Sequence, residues 1–474
     1  ALNLVSGGTQ SIAHLGNLAN GDGGGTSGNV TVDAGAIGLL ANGDNSHATI
    51  GDGSYAAGVT ATGAVSVTGT TLDIRSQGEE SRAQIGNIAN GKVKGAVSVA
   101  ITGDVVLKSK GDGSVAYIGN SSGTATSGTV SLVSGGAVSL LSTGGIDAAG
   151  YSAATRIGNS GSGNVNVTAA GDVTVAAGSG FALIGDAIGG DGAGNVSLVS
   201  GGNLVLSTNG ADAVAIVGNM GNGSASGAIS GNVDITANGT ITLTPAGSGA
   251  QTLIGNFDAA SLLGNVTIKA ASLIGNIDPS LSNDLPNGNF TAAFSGNSTL
   301  NVEAFSYTSG YTLDVSNGGD ILISGALKNS GSGDISLTSG GAFTANAAIK
   351  SGGNIALESA GALTVNNAVT AGDAVAMISG GNTIINAAVT AGSGGAGFAS
   401  GGNIAFNAGV QTSGNGTIAI VAAHDILFGA SVQNSGSGGI AVVSGGDVTI
   451  GGNSAGGDVF VGSKAGPLTL VADN

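Results

Sequence analysis

Tyr117-Ile118-Gly119-Asn120 is one copy of a tetrapeptide motif that returns through the first part of the chain. In every copy an aliphatic residue precedes Gly, and Asn or Asp follows it. The copies are His14-Leu15-Gly16-Asn17, Thr49-Ile50-Gly51-Asp52, Gln84-Ile85-Gly86-Asn87, Tyr117-Ile118-Gly119-Asn120, Arg156-Ile157-Gly158-Asn159, Leu183-Ile184-Gly185-Asp186, Ile216-Val217-Gly218-Asn219 and Leu253-Ile254-Gly255-Asn256. Most copies are 33–37 residues apart, with one interval of 39 and one of 27. A period in this range indicates a solenoid or another repeat array.

Each long repeat holds three short segments in which aliphatic residues alternate with small polar ones. Val97-Ser98-Val99 is an example of the first, Val105-Val106-Leu107 of the second, and the tetrapeptide motif is the third. Such alternation is typical of a strand with one buried face, and the Gly-rich pieces between the segments are typical of turns. The sequence therefore predicts an all-β fold: a right-handed parallel β-helix with three short strands per coil. We expect roughly 15–17 coils stacked at the inter-strand spacing of about 4.8 Å.

The period shortens after residue 319. One series with steps of 20–22 residues is Leu327, Ile349, Val369, Val389, Val410 and Val432. A second is Ile335, Ile355, Val375, Ile418 and Ile440, if one coil near Gly397 is skipped. A third is Ile321, Leu363, Ile384, Ile404, Ile426 and Val448, if a weaker coil lies near Phe343. We predict a long-coil β-helix over residues 1–275, an irregular junction over 276–318 and a short-coil β-helix over 319–474.

The predicted junction is rich in aromatic residues, which we expect to lie on protruding loops and to form a contact region. They are Phe290, Phe294, Phe305, Tyr307 and Tyr311. Both ends of the sequence stop in mid-pattern, at Leu2-Asn3-Leu4-Val5 and Pro467-Leu468-Thr469-Leu470. We expect either that the chain continues beyond them or that copies pack end to end, because solenoid ends need covering.

Composition narrows the class of protein. Of 474 residues, 93 are Gly, 8% are charged and 3% are aromatic, and mean hydropathy is +0.36. No run of about 18 apolar residues occurs, which argues against membrane insertion. The net charge of −17 argues against binding to nucleic acids or to anionic membrane surfaces, because both kinds of binding require clustered Lys and Arg. There is no Cys, which fits a long solenoid whose continuous core does not need disulfides.

The Asn residues of the repeated motif are interpreted as structural. Stacked Asn side chains can hydrogen-bond along the solenoid axis, and Asn tolerates left-handed turn conformations. The predicted ladder is Asn17, Asn87, Asn120, Asn159, Asn219 and Asn256. Asp52 and Asp186 replace Asn in two coils, where they could bind a cation but more often such carboxylates are simply solvated. A second series in the short coils, Asn346, Asn366, Asn386 and Asn407, is interpreted in the same way.

No combination of residues predicts catalysis, a metal site or a cofactor. The three His residues, His14, His47 and His424, lie far apart and lack metal-ligand spacing. The densest charge group is Arg75, Glu79, Glu80 and Arg82, which fits a salt-bridged surface loop. We therefore predict that the chain is not an enzyme, although a β-helix acting on surface glycans stays open as the least favoured alternative.

The tandem units of residues 319–452 resemble the filamentous-haemagglutinin-like exoproteins of bacterial two-partner secretion. The clearest unit is Gly333-Asp334-Ile335-Ser336-Leu337-Thr338-Ser339-Gly340-Gly341, and the longer coils of the first half resemble the family more loosely. The resemblance implies a secreted rod on the surface of a Gram-negative cell. The family's Asn-Pro-Asn-Gly secretion motif is not found; Leu285-Pro286-Asn287-Gly288 lies mid-chain and is not equivalent. An outer-membrane transporter would be a partner if the chain follows this export route.

The predicted function is that of an extracellular structural or adhesive rod of a bacterial cell surface, serving adhesion, aggregation or a biofilm matrix. Its expected partners are other copies of itself, or glycans or proteins on host or neighbouring cells. The main alternative is a self-assembling subunit of an extracellular filament or surface sheath, in which uncapped ends join by strand pairing.

Overall fold

The computed structural model describes residues 1–19, 25–54, 59–122, 125–145, 152–187, 192–221, 228–257, 261–262, 264–275, 288–451 and 458–473. These residues form strands and turns but no helix, so none of them belongs to a helix that could cross a membrane. The chain divides into two compact units, Ala1–Gly275 and Asn276–Asn474. In both units the long sheets are wholly parallel, which confirms the solenoid and is consistent with the predicted right-handed parallel β-helix.

Three long sheets, named A, B and C, run along the first unit. Sheet A contains Leu2–Ser6, Ala36–Ala41, Thr71–Ser76, Val105–Ser109, Val138–Ser142, Val173–Ala177, Leu204–Thr208, Thr240–Thr244 and Ser272–Ile274. Sheet B contains Ile12–Leu15, His47–Ile50, Arg82–Ile85, Val115–Ile118, Ala154–Ile157, Phe181–Ile184, Val214–Val217 and Gln251–Ile254. Sheet C contains Val30–Asp33, Val65–Gly69, Val97–Ile101, Val130–Ser134, Val165–Ala169, Val196–Ser200, Val233–Ala237 and Val266–Ala270.

Short additional strands pair in the segments between sheets B and C, beyond the three strands per coil that the sequence predicts. They are Leu18–Ala19, Gly53–Ser54, Ile88–Ala89, Lys92–Lys94, Ser121–Ser122, Ala125–Ser127, Gly192–Ala193, Ala228–Ser230 and Ser261–Leu262. Ala61, Ala89 and Val93 form a small buried cluster there. These segments cover one side of sheet B, which explains why strands such as His47–Ile50 are buried on both faces.

The second unit also has three long sheets, named D, E and F. Sheet D contains Phe290–Phe294, Leu313–Asn317, Ile335–Ser339, Ile355–Ser359, Ala374–Ser379, Gly395–Ser400, Ile418–Ala422, Ile440–Ser444 and Leu468–Ala472. Sheet E contains Leu300–Val302, Ile321–Ile323, Phe343–Ala345, Leu363–Val365, Thr383–Ile385, Ile404–Phe406, Ile426–Phe428 and Val448–Ile450. Sheet F contains Phe305–Tyr307, Leu327–Asn329, Ile349–Ser351, Val369–Ala371, Val389–Ala391, Val410–Thr412, Val432–Asn434 and Val461–Ser463.

The pairing register places equivalent residues of successive coils side by side. Val97 pairs with Val65 and Val130, and all three lie inside with at most 1% of their surface exposed. Between them, residues such as Ser98 point outward, because successive side chains of a strand alternate between faces. Each unit thus encloses a continuous aliphatic core. Burial of apolar surface stabilises the fold by about 25 cal/mol per Å², so this core is the main source of stability of each unit.

Two positions in the short coils differ from the sequence prediction. The coil near Gly397 is not skipped: Gly395–Ser400 joins sheet D, with Ala396 and Phe398 inside. In sheet E the inward residue is Thr383, not Ile384, which is 36% exposed. A hydrogen bond of 2.7 Å between the hydroxyls of Ser379 and Thr383 satisfies the buried threonine, so a polar residue can occupy a position that hydrophobicity alone assigns to Ile384.

The predicted irregular junction of residues 276–318 also differs from the structure. Residues 276–287 lie outside the described residues. Residues 288–318 are not irregular, since Phe290–Phe294, Leu300–Val302, Phe305–Tyr307 and Leu313–Asn317 are strands in register with the next coils. Phe290, Phe294 and Tyr307 break the Val/Ile/Leu pattern in the sequence, yet they lie in the interior as aliphatic residues do elsewhere.

A row of aromatic rings lies in the core of the second unit. Phe406 is fully buried, stacks on Phe428 with ring centroids 5.4 Å apart, and meets Phe398 edge-on at 5.1 Å.

Replacing Phe406 with alanine should reduce the free energy of unfolding by about 3 kcal/mol, because it leaves a cavity and removes two ring contacts. Denaturant titration measures this loss. Phe460→Ala is the matched control, because that side chain is 57% exposed; an equal loss in both variants would contradict the packing.

Candidate functional site

The Asn and Asp residues of the repeated motif form one row along the first unit. Hydrogen bonds link each coil to the next: Asp52 N to Asn87 Oδ1 (2.9 Å), Asn87 N to Asn120 Oδ1 (3.1 Å), Asn120 N to Asn159 Oδ1 (3.2 Å), Asn159 N to Asp186 Oδ1 (2.6 Å), Asp186 N to Asn219 Oδ1 (3.1 Å) and Asn219 N to Asn256 Oδ1 (3.4 Å). At the first coil, Asn17 Nδ2 donates to Asp52 Oδ1 over 2.8 Å. Apart from Asn17, which is exposed, the row is buried.

The amide nitrogen of most row members donates to a glycine carbonyl of the preceding coil. The pairs are Asn87 with Gly63, Asn120 with Gly95, Asn159 with Gly128, Asn219 with Gly194 and Asn256 with Gly231, at 2.6–2.9 Å. One side chain therefore satisfies both a backbone N–H and a backbone C=O of the preceding coil. Because buried backbone groups need partners, each Asn fastens two coils where the chain leaves sheet B.

The glycine before each Asn has a conformation that other residues rarely adopt. Its φ lies between +131° and +149° in all eight copies of the motif. A Cβ on Gly119 would also overlap the carbonyl oxygen of Gly158 in the next coil. Close approach of the two backbones and a positive φ together require glycine at this position of the motif.

The sequence favours solvated carboxylates at Asp52 and Asp186, but this prediction is wrong. Both side chains are fully buried. Burial raises the pKa of Asp186 to about 7, against the opposing effects of the Asn159 hydrogen bond and the positive charge of Arg156. A Cβ built on Gly194 would meet both Asp186 Oδ2 and the Gly163 carbonyl oxygen, so both atoms face that glycine. Asn neighbours place a donating Nδ2 at this point of the row, and a carboxyl group can donate there only when it is protonated.

A second row, buried except for the half-buried His14 and Arg156, follows the covered side of sheet B. It runs through His14, Thr49, Gln84, Tyr117, Arg156, Leu183, Ile216 and Leu253. Tyr117 is fully buried and donates its hydroxyl to the Asn120 carbonyl oxygen over 2.6 Å. The guanidinium of Arg156 lies 4.2 Å from the centre of the Tyr117 ring, which is a cation–π contact. Burial raises the pKa of Tyr117 to about 12, so its hydroxyl stays protonated and donating at physiological pH.

The three histidines do not come together. His14 and His47 lie on adjacent strands of sheet B at non-equivalent positions, and His424 belongs to the second unit. Burial lowers the pKa of His14, and burial with the nearby Arg82 lowers the pKa of His47 to about 4. No group of three His, Asp or Glu side chains that could hold a metal ion occurs among the residues that the structure describes.

The charged group of residues 75–82 separates into different environments. Arg75 forms a two-point contact with Asp73, with Nη2–Oδ2 and Nε–Oδ1 distances of 2.8 Å, on the outer face of sheet A. Arg82 instead lies in sheet B and donates to the Ser121 hydroxyl over 2.9 Å. The surface pair is about half exposed and contributes little to stability.

The aromatic contact region predicted from the sequence is largely internal. Phe290, Phe294 and Tyr307 are buried, with 4%, 4% and 7% of their surfaces exposed. Tyr311 is 44% exposed, and the side chain of Phe305 lies outside the described residues. A surface for partners must therefore be sought on the outward rows of the sheets.

In the second unit the second series of Asn residues does lie on the surface. Asn366 Nδ2 donates to Asn346 Oδ1, Asn386 Nδ2 to Asn366 Oδ1 and Asn407 Nδ2 to Asn386 Oδ1, over 2.8–2.9 Å. These amides form an exposed ladder beside sheet E. Their bonding to one another leaves each amide with part of its hydrogen-bonding capacity facing solvent.

The Ser-Gly-Gly-Asx units at the corner between sheets D and E have a common role. The buried serine donates to a carbonyl of the preceding coil, as in Ser400 to Gly381 over 2.6 Å. The Asx side chain accepts a backbone N–H of the next coil, as Asn403 Oδ1 does from Asp425 over 2.8 Å. The motif thus fastens successive corners, and its Asx side chains are structural acceptors.

The feature that sequence reasoning missed is an apolar outer face on sheet D. Over four strands from Ala374 to Ser444 every outward position is Ala, Gly, Ile or Val. The signal in the sequence is unbroken hydrophobicity, as in Ile418-Ala419-Ile420-Val421-Ala422, where other strands alternate with polar residues.

Comparisons of this chain with protein-family models, with curated proteins and with solved structures each found no match.

Proposed function

We propose that this chain is a structural and adhesive rod of a bacterial cell surface, located outside the cell. The observation that carries the proposal is the unbroken register of the coils. Within each unit, strands of each long sheet pair with the next coil at equivalent residues. Such a body resists bending because each coil is held by main-chain hydrogen bonds in several sheets and by the Asn and Ser contacts.

Repetition also suits the surface of the rod for binding. Outward residues recur about every 4.8 Å along each sheet, so many weak contacts act together and avidity exceeds the affinity of any one contact. The resemblance of residues 319–452 to filamentous-haemagglutinin-like exoproteins supports the same role. The proposed partners are other copies of the chain, or glycans and proteins of neighbouring or host cells.

The proposal is tested with fluorescent microspheres that carry the purified chain. We expect them to cluster with one another or to be retained on bacterial or host cells more than albumin-coated spheres are. Spheres carrying the heat-unfolded chain control for non-specific stickiness. Equal behaviour of native-chain and albumin spheres in all these assays would contradict an adhesive or aggregating role.

A further inference from the structure

The apolar face of sheet D is a regular surface of two parallel rows. We define the apolar wall as the outward residues of four successive strands. It consists of Ala376, Ile378, Gly397, Ala399, Ala419, Val421, Ala441 and Val443. Ile378, Val421 and Val443 are 48%, 48% and 41% exposed. Isolated exposed apolar side chains are ordinary on a protein surface, but a contiguous patch of them marks an interaction site.

Polar surface borders the wall on two sides, at its N-terminal edge and on sheet F. One coil before it, the equivalent outward residue is Glu358, and the two coils before that present Ser316 and Thr338. The outward residues of sheet F over the same coils are polar, as in Thr390, Gln411 and Gln433. In a chain of net charge −17, the wall is therefore a face on which two copies can approach without placing like charges in contact.

The two rows of the wall differ in height. One row, Ala376, Gly397, Ala419 and Ala441, is a groove of very small residues. The other row, Ile378, Ala399, Val421 and Val443, is a ridge that carries three branched side chains. A ridge beside a parallel groove is complementary to a second copy of itself, and two sheets packed face to face interdigitate in this manner.

We propose that the apolar wall is a self-association surface, through which sheet D of one chain packs against sheet D of a second copy. This inference rests on the proposed aggregating function and names its partner. A ridge meets a groove only when the two-fold axis runs parallel to the coil axis. The two solenoids therefore run in the same direction, and each coil faces the equivalent coil of its partner.

The size of the wall sets the strength of this contact. Four strands at about 4.8 Å spacing give a strip about 15–20 Å long. Each copy contributes on the order of a few hundred Å², below the ~800 Å² per partner of a stable complex. A single pair of chains in solution is therefore a weak, reversible dimer, whereas many chains displayed on two cell surfaces associate firmly through avidity.

Gly397→Lys tests the wall with little risk to the fold. No atom lies within 4 Å of a Cβ built on Gly397, so an added side chain projects outward. Sedimentation equilibrium of the wild-type chain at high concentration should show a reversible dimer. The lysine should weaken it at least about tenfold, because its charge would be desolvated without a partner. Gly462→Lys is the matched control: it adds the same charge on sheet F, where a Cβ is equally unobstructed, and should leave the dimer unchanged.

Orientation provides a second readout. The chain has no Cys, so Thr338→Cys provides a single attachment site for a spin label. This site lies about three and a half coils from the centre of the wall. Parallel copies should give a label distance of about 10–20 Å, and antiparallel copies about 35 Å. A monomer at all concentrations, an unaffected Gly397→Lys dimer, or the longer distance would overturn the proposal. Microspheres carrying the Gly397→Lys chain and microspheres carrying the Gly462→Lys chain are then compared in the adhesion assay. If both adhere as well as wild-type spheres, the wall is not the self-association surface, while the adhesive function still stands.

Discussion

Gly119→Ala is expected to destabilise the first unit by more than about 4 kcal/mol. Alanine at φ +143° is strained by about 1–3 kcal/mol, and its Cβ would overlap the Gly158 carbonyl oxygen of the next coil. Relief of that overlap requires the two coils to separate. The hydrogen bonds from Gly158 N to Ile118 O and from Asn120 N to Asn159 Oδ1 then lengthen or break.

Denaturant titration followed by circular dichroism measures this effect. The control is Gly35→Ala, in the same unit, where the nearest atom to an added Cβ is 4.0 Å away and φ is not positive. That variant should differ from the wild type by less than about 1 kcal/mol. If both alanine variants unfold at the same denaturant concentration as the wild type, the repeated glycine does not hold adjacent backbones in contact.

Asp186→Asn should stabilise the first unit by up to about 4 kcal/mol at pH 8. The carboxyl has a pKa of about 7 in the folded chain and about 3.8 when unfolded, and one pKa unit corresponds to about 1.4 kcal/mol. Below pH 4 both states hold the proton, so the group then costs no stability. Between pH 4 and 7 only the unfolded state ionises, and stability falls as pH rises; above pH 7 the loss is complete.

An asparagine at this position does not titrate and can donate Nδ2–H as its neighbours in the row do. The difference in free energy of unfolding between variant and wild type should therefore be small at pH 4 and grow to its maximum near pH 7–8. Arg156 and Tyr117 are the charged and titratable side chains that act on this carboxyl, and both are unchanged in the variant. Asp172→Asn, an exposed acceptor for Asn203 N at 2.7 Å, is the control and should show no such growth.

Much of the fold follows from periodicity alone. The three segments of each long repeat correspond to sheets C, A and B, because inward aliphatic residues at period two mark a strand wherever the interior accepts only such residues. The prediction fails where other side chains fill the interior. Thr383 is inside because Ser379 satisfies it, and Phe290 and Phe294 are inside because the coil there accommodates rings.

The environment of the repeated Asn residues could be predicted only in part. Their spacing indicates a row along the axis, but it does not show that the segments after sheet B cover that row. The burial of Asp186 and the raised pKa that results depend on this cover. The apolar wall also needed the structure, because in the sequence Ala376 and Ile378 are indistinguishable from core residues until the register assigns them to the outward face.

The most direct test of the stacking is a pair of cysteines in adjacent coils. Ser109 and Ser142 are 33 residues apart, fully buried and register partners, with their hydroxyl oxygens 3.1 Å apart. In this chain without Cys, Ser109→Cys with Ser142→Cys should form a disulfide on mild oxidation, detected by mass spectrometry after proteolysis. The control pair, Ser109→Cys with Leu141→Cys, shifts one position to the opposite face and should not. Ready cross-linking of the control, or none in the matched pair, would contradict the parallel in-register coil.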